Sequence, residues 1–253
     1  MLKYTLTQKA RIKLGNIPGA KRFYCLLRLL FAPTYREDGL ATVHNCDFLT
    51  DEDFIGAYET ALKQEVGVDI RWRAHVTQWA GFHAKQLDGD FVECGVNRAF
   101  LSSSVMAYVD FESLKNRKFY LFDTFSGLIE ELITPEDRAA HRHHYSDCYE
   151  FVVNSFNDYS NVVIVRGAVP TTLDQVKIDR VAYLSIDMNC AMPEIAALEY
   201  FWPKMTPGGI IILDDYGFDG HIAQKKGADE FASSIGVRIL SLPTGQGLLI
   251  KPK

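Results

Sequence analysis

The chain has 253 residues, 47% of them hydrophobic, which is enough to bury a full core in one large domain or in one domain with an appendage. Its formal net charge of -5 at pH 7 argues against a protein whose main role is to hold nucleic acid. The five cysteines are odd in number and show no C-x-x-C spacing, which disfavours disulfides and a thiolate zinc site and indicates a reducing, cytoplasmic setting.

Residues 1–88 are predicted to form a helical N-terminal region, ahead of a catalytic-type domain over residues 89–253. The apolar stretch at 21–31 is interrupted by Arg28 and is too short to span a bilayer. A basic amphipathic helix of this kind can lie on a membrane surface or pack against protein. Packing is favoured, and the apolar side chains then predict a homodimer or higher symmetric oligomer. These side chains are Phe23, Leu26, Leu27, Leu30 and Phe31.

Two further helices are predicted before residue 89. Thr50 or Asp51 is expected to cap the first of them, because acidic residues follow in the first turn. The second covers residues 69–87, where apolar side chains recur three or four positions apart and predict an apolar face. The predicted face consists of Trp72, Val76, Trp79 and Phe82 or His83.

Apolar strands then alternate with helical patterns, which predicts a parallel sheet with helical crossovers. The predicted strands are 91–94, 119–122, 161–165, 181–186 and 209–213, and the predicted helices are 98–110, 147–157, 191–202 and 220–234. The final apolar runs, 237–242 and 247–251, are separated by a link so short that it joins antiparallel strands. A mostly parallel α/β sheet with a C-terminal antiparallel hairpin is typical of the Rossmann-like class I methyltransferase fold.

The turn after the first strand indicates which nucleotide the sheet binds. A dinucleotide site needs G-x-G-x-x-G, so that backbone amides approach a pyrophosphate. Here Gly95 is followed by Asn97 and Phe100 at the other two glycine positions. Glu93 would repel a phosphate and suits a cationic ligand, which favours S-adenosylmethionine over NAD. A generic strand-to-helix turn would give the same short pattern.

Ligands of open α/β sheets bind at the carboxyl ends of the strands. Glu93 and Gly95 are therefore expected to face the methionine moiety, Asp123 the ribose hydroxyls, and Gly167 the adenine. Ser102, one turn into the next helix, is interpreted either as a ligand of the cofactor's carboxylate or as an ordinary small helix residue. The predicted cofactor-binding set is Glu93, Gly95, Asn97, Ser102, Asp123, Thr124, Phe125 and Gly167.

Three acids follow two other strands. Asp187 ends the strand 181–186, and Asp214 and Asp215 end its neighbour. Adjacent parallel strands lie about 5 Å apart, so these carboxylates can converge. Clustered carboxylates repel each other unless they are protonated or bridged by a cation, and hard oxygen ligands select Mg²⁺ or a similar ion. The sequence shows no evident basic partner for them. The alternative is that Asp214 or Asp215 only caps the following helix.

Three linked motifs resemble those of the macrocin-type (TylF) O-methyltransferases. They are the residues at 91–96, 120–127 and 208–216, and the resemblance runs from about residue 90 to 217. It implies a class I, metal-dependent enzyme that methylates a hydroxyl of a small molecule, as on a sugar or a glycosylated natural product. It also implies cofactor binding by the Glu93 and Asp123 loops, and Mg²⁺ on the three acids.

The chain departs from the family pattern in two places. It has Asn-Arg-Ala-Phe at 97–100 where the family usually reads Trp-Arg-Gly-Gly, and Asn189 where a second acid is common. These departures keep open an alternative function, a catalytically idle cofactor-binding or scaffold protein on the same fold.

For methyl transfer to an acceptor hydroxyl, the candidate general bases are Asp187 and His221. A solvated surface position is the alternative for His221. The long connection 128–150 is predicted to be an acceptor-lining or solvated loop. Its histidines, His141, His143 and His144, are close enough in sequence for a transition metal but lack helical spacing.

Overall fold

The computed structural model describes residues 19–140 and 145–253. The chain divides into two compact units, Met1–Asp47 and Phe48–Lys253. These units do not coincide with the division after residue 88, which stays a prediction. The first 18 residues, and with them part of the predicted N-terminal region, lie outside the described residues, as do His141, His143 and His144.

The first unit contains one described helix and a small hairpin. Helix α1 spans Ala20–Phe31, and strands β1 (Tyr35–Glu37) and β2 (Leu40–Thr42) pair antiparallel. The predicted helix at 21–31 is thus confirmed. Its last turn is closed by the Arg36 guanidinium, whose Nη2 donates to the carbonyl oxygen of Leu30 at 2.8 Å. Such a bond satisfies one of the carbonyls that a helix end leaves without an intrahelical donor.

The second unit begins with helices α2 (Glu52–Leu62) and α3 (Arg71–Ala84). Asp51 caps α2, because its Oδ1 accepts the backbone N–H of Phe54 at 2.8 Å. This confirms one of the two caps that the sequence predicts, and the acidic first turn complements the positive end of the helix dipole.

The predicted apolar face of α3 is confirmed at Val76, which packs against the core, and wrong at Trp79 and Phe82. Trp79 and Phe82 are each 48% exposed, whereas the buried side of α3 is built mainly from small residues. Its closest neighbour is helix α4 (Phe100–Val109), and a Cβ added at Gly81 would lie 2.6 Å from Cγ1 of Val105. Two helices that approach so closely leave no room for bulky side chains between them, so the aromatic residues point outward.

Seven strands of the described residues form one sheet, in the order β5-β4-β3-β6-β7-β9-β8. The five strands β3 to β7 are parallel where they pair, and β9 runs antiparallel to both of its neighbours. The predicted mostly parallel sheet with an antiparallel C-terminal pair is confirmed. The strands are β3 (Asp90–Cys94), β4 (Phe119–Asp123), β5 (Val162–Arg166), β6 (Val181–Ile186), β7 (Met205–Leu213), β8 (Leu240–Ser241) and β9 (Gly247–Ile250).

Helices cover both faces of this sheet, so its central strands are buried on both sides, as expected for parallel strands. Every residue of β6 is buried. The crossover helices of the described ranges are α4, α5 (Pro135–Ala140), α6 (Tyr149–Ser155), α7 (Ala191–Phe201) and α8 (Ile222–Ser234). None of the helices in these ranges has the length and apolar character that a membrane span requires.

The strand register determines where the functional loops emerge. Cys94 at the end of β3 lies opposite Phe122 of β4 and Ile186 of β6, and Ile186 lies opposite Leu213 of β7. Four neighbouring strands therefore end at nearly the same level. The residues that follow them, which include the predicted ligands, leave the sheet along one edge.

Candidate functional site at the carboxyl edge of the sheet

Gly95 lies at the closest contact between two of these loops. It adopts a positive φ of 86°, and a Cβ built on it would lie 1.8 Å from the carbonyl oxygen of Asp187. The backbone N–H of Asp187 donates to the carbonyl of Cys94 at 2.8 Å, which holds the two chain segments together. Only glycine fits such a position, because it has no side chain and tolerates the left-handed region.

Asp123 holds the first loop in place. Its Oδ2 accepts the backbone N–H groups of Val96 at 2.6 Å and Asn97 at 2.7 Å, and its Oδ1 accepts that of Phe125 at 2.7 Å. A carboxylate bound by several amides is fixed in orientation. The predicted ribose ligand therefore also anchors the loop predicted to face the methionine moiety.

Glu93 is buried beneath this loop, with only 2% of its surface exposed. Ser102 donates a short hydrogen bond from its Oγ to Glu93 Oε2. Burial raises the pKa of Glu93 to about 8, and the nearby Asp214 and Asp123 add to the effect against the Ser102 hydrogen bond. Ser102 thus supports Glu93 in this structure, and its contact with a cofactor carboxylate stays a prediction.

The other predicted cofactor residues lie along the same edge. Asn97 and Phe125 both have positive φ, 47° and 54°, and the hydroxyl of Thr124 donates to the Gly127 carbonyl at 2.6 Å. Gly167 follows β5 with a φ of 140°. The structure brings these residues to the edge where ligands of open α/β sheets bind.

Asp187, Asp214 and Asp215 converge as predicted. Each offers a carboxylate oxygen, and these oxygens all lie within 4.8 Å of one another. Burial raises the pKa of Asp187 well above its usual range, and the charges of Asp214 and Asp215 raise it further. Three closely spaced oxygen donors fit a hard divalent cation. The structure contradicts the alternative that Asp214 or Asp215 caps the next helix, because His221 occupies the N-cap position of α8.

The expectation that these acids lack a basic partner is wrong. Arg73, on α3, forms an ion pair from Nη1 to Asp214 Oδ2, and the side chain of Asp214 is fully buried. Gln246, just before β9, donates from Nε2 to Asp214 Oδ1 at 2.8 Å. Arg73 and Gln246 are 141 and 32 residues away from Asp214 in sequence, and no local pattern connects them.

His221 lies beside the acids rather than in solvent. Its side chain is 11% exposed, and its Nδ1 is 3.5 Å from Asp215 Oδ2 and 2.7 Å from Gln224 Nε2. Partial burial, and then the acids Asp187 and Asp215, raise the pKa of Tyr145 above its usual range.

The chain matches a known family over residues 74–237, the macrocin-O-methyltransferases (TylF). This match covers more than half of the sequence. The chain belongs to the TylF family. The resemblance seen in the motifs is thereby confirmed, although Arg73 and Gln246 both lie outside the matched residues.

Two curated relatives of this chain are named as O-methyltransferases. It is 28% identical over 146 residues to 8-demethyl-8-(2,3-dimethoxy-alpha-L-rhamnosyl)-tetracenomycin-C 4'-O-methyltransferase from Streptomyces olivaceus, a match that covers 54% of the chain and 56% of the relative. It is 24% identical over 140 residues to mycinamicin III 3''-O-methyltransferase from Micromonospora griseorubida, covering 51% and 55%. The chain thus spans about half the length of the curated relatives that it matches.

A solved structure shares the fold. The O-methyltransferase NovP superposes with a TM-score of 0.63 at 21% identity, over 72% of this chain and 80% of that one. Together with the strand order, this confirms the class I methyltransferase fold that the sequence predicts.

The two departures from the TylF pattern lie in the site itself. Ala99 takes a positive φ of 65° and is fully buried, and Phe100 packs edge-on against Tyr58 of α2 with ring centroids 5.3 Å apart. Asn189 also has a positive φ and donates from Nδ2 to Asp187 Oδ1 at 3.3 Å. The first departure fills the contact between two helices, and the second contacts a predicted metal ligand.

We predict that Gly95→Ala severely destabilises the protein. The new methyl group would overlap a backbone oxygen, and a positive φ adds about 1–2 kcal/mol for a residue with a Cβ, so a total loss of about 3 kcal/mol or more is expected. Urea unfolding followed by circular dichroism measures it. Gly56→Ala is the matched control, since a Cβ there meets nothing within 4 Å and a helical Gly→Ala change stabilises. Equal stability of the two variants would contradict the steric account.

We also predict that Glu93 makes stability fall as the pH rises. The folded-state pKa of Glu93 is about 8, above its ordinary 4.5, so between these values the native state holds a proton that the unfolded state has lost. The contribution is fully present below about pH 4.5 and lost by about pH 8. When the free energy of unfolding is plotted against pH, Glu93→Gln should reduce the slope over this range by up to about 1.4 kcal/mol per pH unit.

Chemical denaturation at several pH values tests this prediction. Glu112→Gln, a change at an exposed side chain in the connection between β3 and β4, serves as the control. Superimposable pH profiles for wild type and Glu93→Gln would show that Glu93 ionises normally in the folded protein.

Proposed function

We propose that the chain is an S-adenosylmethionine-dependent O-methyltransferase that acts on a hydroxyl of a sugar or glycosylated small molecule, with a divalent cation such as Mg²⁺ at its acidic cluster. The observation that carries the proposal is that Glu93, Asp123 and the acidic cluster lie along one edge of the sheet. The carboxylate oxygens of the cluster, from Asp187, Asp214 and Asp215, lie within 4.8 Å of one another. Membership of the TylF family and the names of the relatives support the acceptor class.

When bound, S-adenosylmethionine supplies an electrophilic methyl group on a sulfonium, and a divalent cation supplies positive charge that makes an acceptor hydroxyl easier to deprotonate. Asp187, Asp214 and Asp215 would hold the cation. Asp123 would accept the ribose hydroxyls, and the loop at Gly95 and Asn97 would line the methionine moiety.

The protein's own role in the reaction is to orient the acceptor and to take its proton. Orientation of reacting groups alone can lower a barrier by several kcal/mol. Asp187 and His221 are the two candidate bases, and His221 is held by Gln224 next to Asp215. Loss of about 100-fold in kcat for His221→Gln, together with loss of one limb of the pH–rate profile, would assign the base to His221. A loss of less than about 3-fold in kcat would leave Asp187 as the candidate base.

Cofactor binding and metal dependence should be separable. We expect the protein to bind S-adenosylhomocysteine but not NAD, and to lose methyl transfer in excess chelator while cofactor binding persists, because the predicted cofactor contacts lie on other strands. Asp215→Asn should behave like the chelated protein. Asp123→Ala should weaken S-adenosylhomocysteine binding by about 1–3 kcal/mol, since it removes a hydrogen-bond acceptor.

Calorimetry with S-adenosylhomocysteine and NAD, and transfer of a labelled methyl group to candidate glycosides with and without chelator, check these expectations. Tight NAD binding without S-adenosylhomocysteine binding would overturn the cofactor assignment. Full turnover in excess chelator would remove the metal from the proposal and leave a metal-free general base.

The protein is also proposed to act as a homodimer or higher symmetric oligomer. Helix α1 buries none of its residues, and Phe23, Leu26 and Phe31 are among its exposed apolar side chains. Large apolar side chains exposed together on one helix are typical of an association surface. Light scattering over a range of concentrations should show a species larger than a monomer, and Leu26→Glu with Leu30→Glu should shift it towards the monomer. A monomer at high concentration in the wild type would contradict the proposal.

A further inference from the structure

Arg73 lies where a cation would otherwise be needed. The carboxylate of Asp214 is fully buried, and a buried carboxylate without a partner carries a large desolvation penalty. Arg73 supplies the opposite charge at Oδ2, and its own side chain is only 16% exposed. The same guanidinium lies 5.5 Å from the ring centroid of Phe218, in the loop that follows Asp215. The arginine is thus held on the acidic cluster and is not a mobile surface residue.

Gln246 completes the arrangement around Asp214. The hydroxyl of Thr244 donates to Gln246 Oε1 at 2.9 Å, so the amide directs its Nε2 to Asp214 Oδ1 at 2.8 Å. Both oxygens of Asp214 therefore accept a hydrogen bond from the protein itself. Of the two donors, only Arg73 brings charge.

We propose that Arg73 is a built-in counter-ion of the acidic cluster. Arg73 stabilises the folded cluster when no divalent cation is bound, and it competes with a divalent cation for the carboxylates. The inference rests on the metal site of the proposed function and concerns a positioning residue. When all three carboxyls are ionised, the cluster together with the guanidinium has a formal charge of about -2, which a single divalent ion neutralises.

The proposal predicts opposite effects on stability and on metal affinity. Arg73→Gln should lower the melting temperature of the protein in chelator, because it leaves Asp214 without its counter-charge. The same change should tighten Mg²⁺ binding by about tenfold or more, because one positive charge near the ion has been removed. Mg²⁺ should therefore raise the melting temperature of Arg73→Gln more than that of the wild type.

The experiment measures Mg²⁺ binding by calorimetry and melting temperatures with Mg²⁺ or with chelator. Arg73→Lys keeps the charge and should bind Mg²⁺ within about threefold of the wild type. Gln246→Leu removes a neutral donor and should lower stability with little change in affinity. Arg71→Gln is the matched control, since Arg71 lies on the same helix but pairs with Asp69, with both side chains more than a third exposed.

Tighter Mg²⁺ binding by Arg73→Gln, with Arg73→Lys and Arg71→Gln close to the wild type, supports the proposal. Unchanged or weaker binding by Arg73→Gln overturns it, as does the same gain in Arg71→Gln. If Arg73→Gln does not fold in chelator, its refolding in Mg²⁺ is the test, because a divalent ion at the cluster would replace the missing positive charge. Recovery of folded protein in Mg²⁺ but not in chelator then supports the proposal, and no recovery overturns it.

The readouts are independent of methyl transfer. A protein that binds Mg²⁺ as expected but methylates no acceptor would refute the proposed activity and leave the role of Arg73 standing. If the wild type binds no Mg²⁺, binding by Arg73→Gln would show that the arginine had excluded the ion. Absence of binding in both would overturn the metal site and the role of Arg73 together.

Discussion

The close contact between the ends of β3 and β6 is the constraint on which the rest of the site depends. Because Gly95 has no side chain, the segment after β3 lies directly against the backbone of Asp187. Through this contact, the predicted cofactor loop lies directly beside the acidic cluster. In the same loop, the amides of Val96 and Asn97 donate to Asp123. One close approach of two backbones therefore positions the cofactor loop, Asp123 and the acidic cluster.

The site concentrates carboxyl groups in buried positions, among them Glu93, Asp214 and Asp215. Burial raises the pKa of Asp187 and of Glu194 well above the usual range for carboxyl groups, and neighbouring acids strengthen both effects. A fold selected for stability alone would avoid such a cluster, since each buried carboxyl needs a proton, a partner or a cation. Glu194 has such a partner in the backbone N–H of Met188, from which its Oε1 accepts a hydrogen bond at 3.1 Å.

The parts of the structure that follow from local pattern could be predicted from the sequence. Alternating strands and helices, the antiparallel C-terminal pair and the convergence of Asp187 with Asp214 and Asp215 all follow from strand ends and from the rule that parallel strands finish at one edge. The exposure of Trp79 was not predictable by periodicity, because the closeness of α3 and α4 depends on both helices. The pairing of Arg73 with Asp214 joins residues 141 positions apart.

The order of the strands has a consequence for how the site is assembled during synthesis. Strand β9 is the last of the described strands in the chain, yet it lies inside the sheet, between β7 and β8. Until residue 250 has been made, β7 presents an open edge, and Asp214 at its end lacks the amide of Gln246. A ribosome-bound chain can therefore hold most of the sheet in place and still have an incomplete acidic centre. Completion of the site therefore waits for residues 244–250, which insert between two strands made before them.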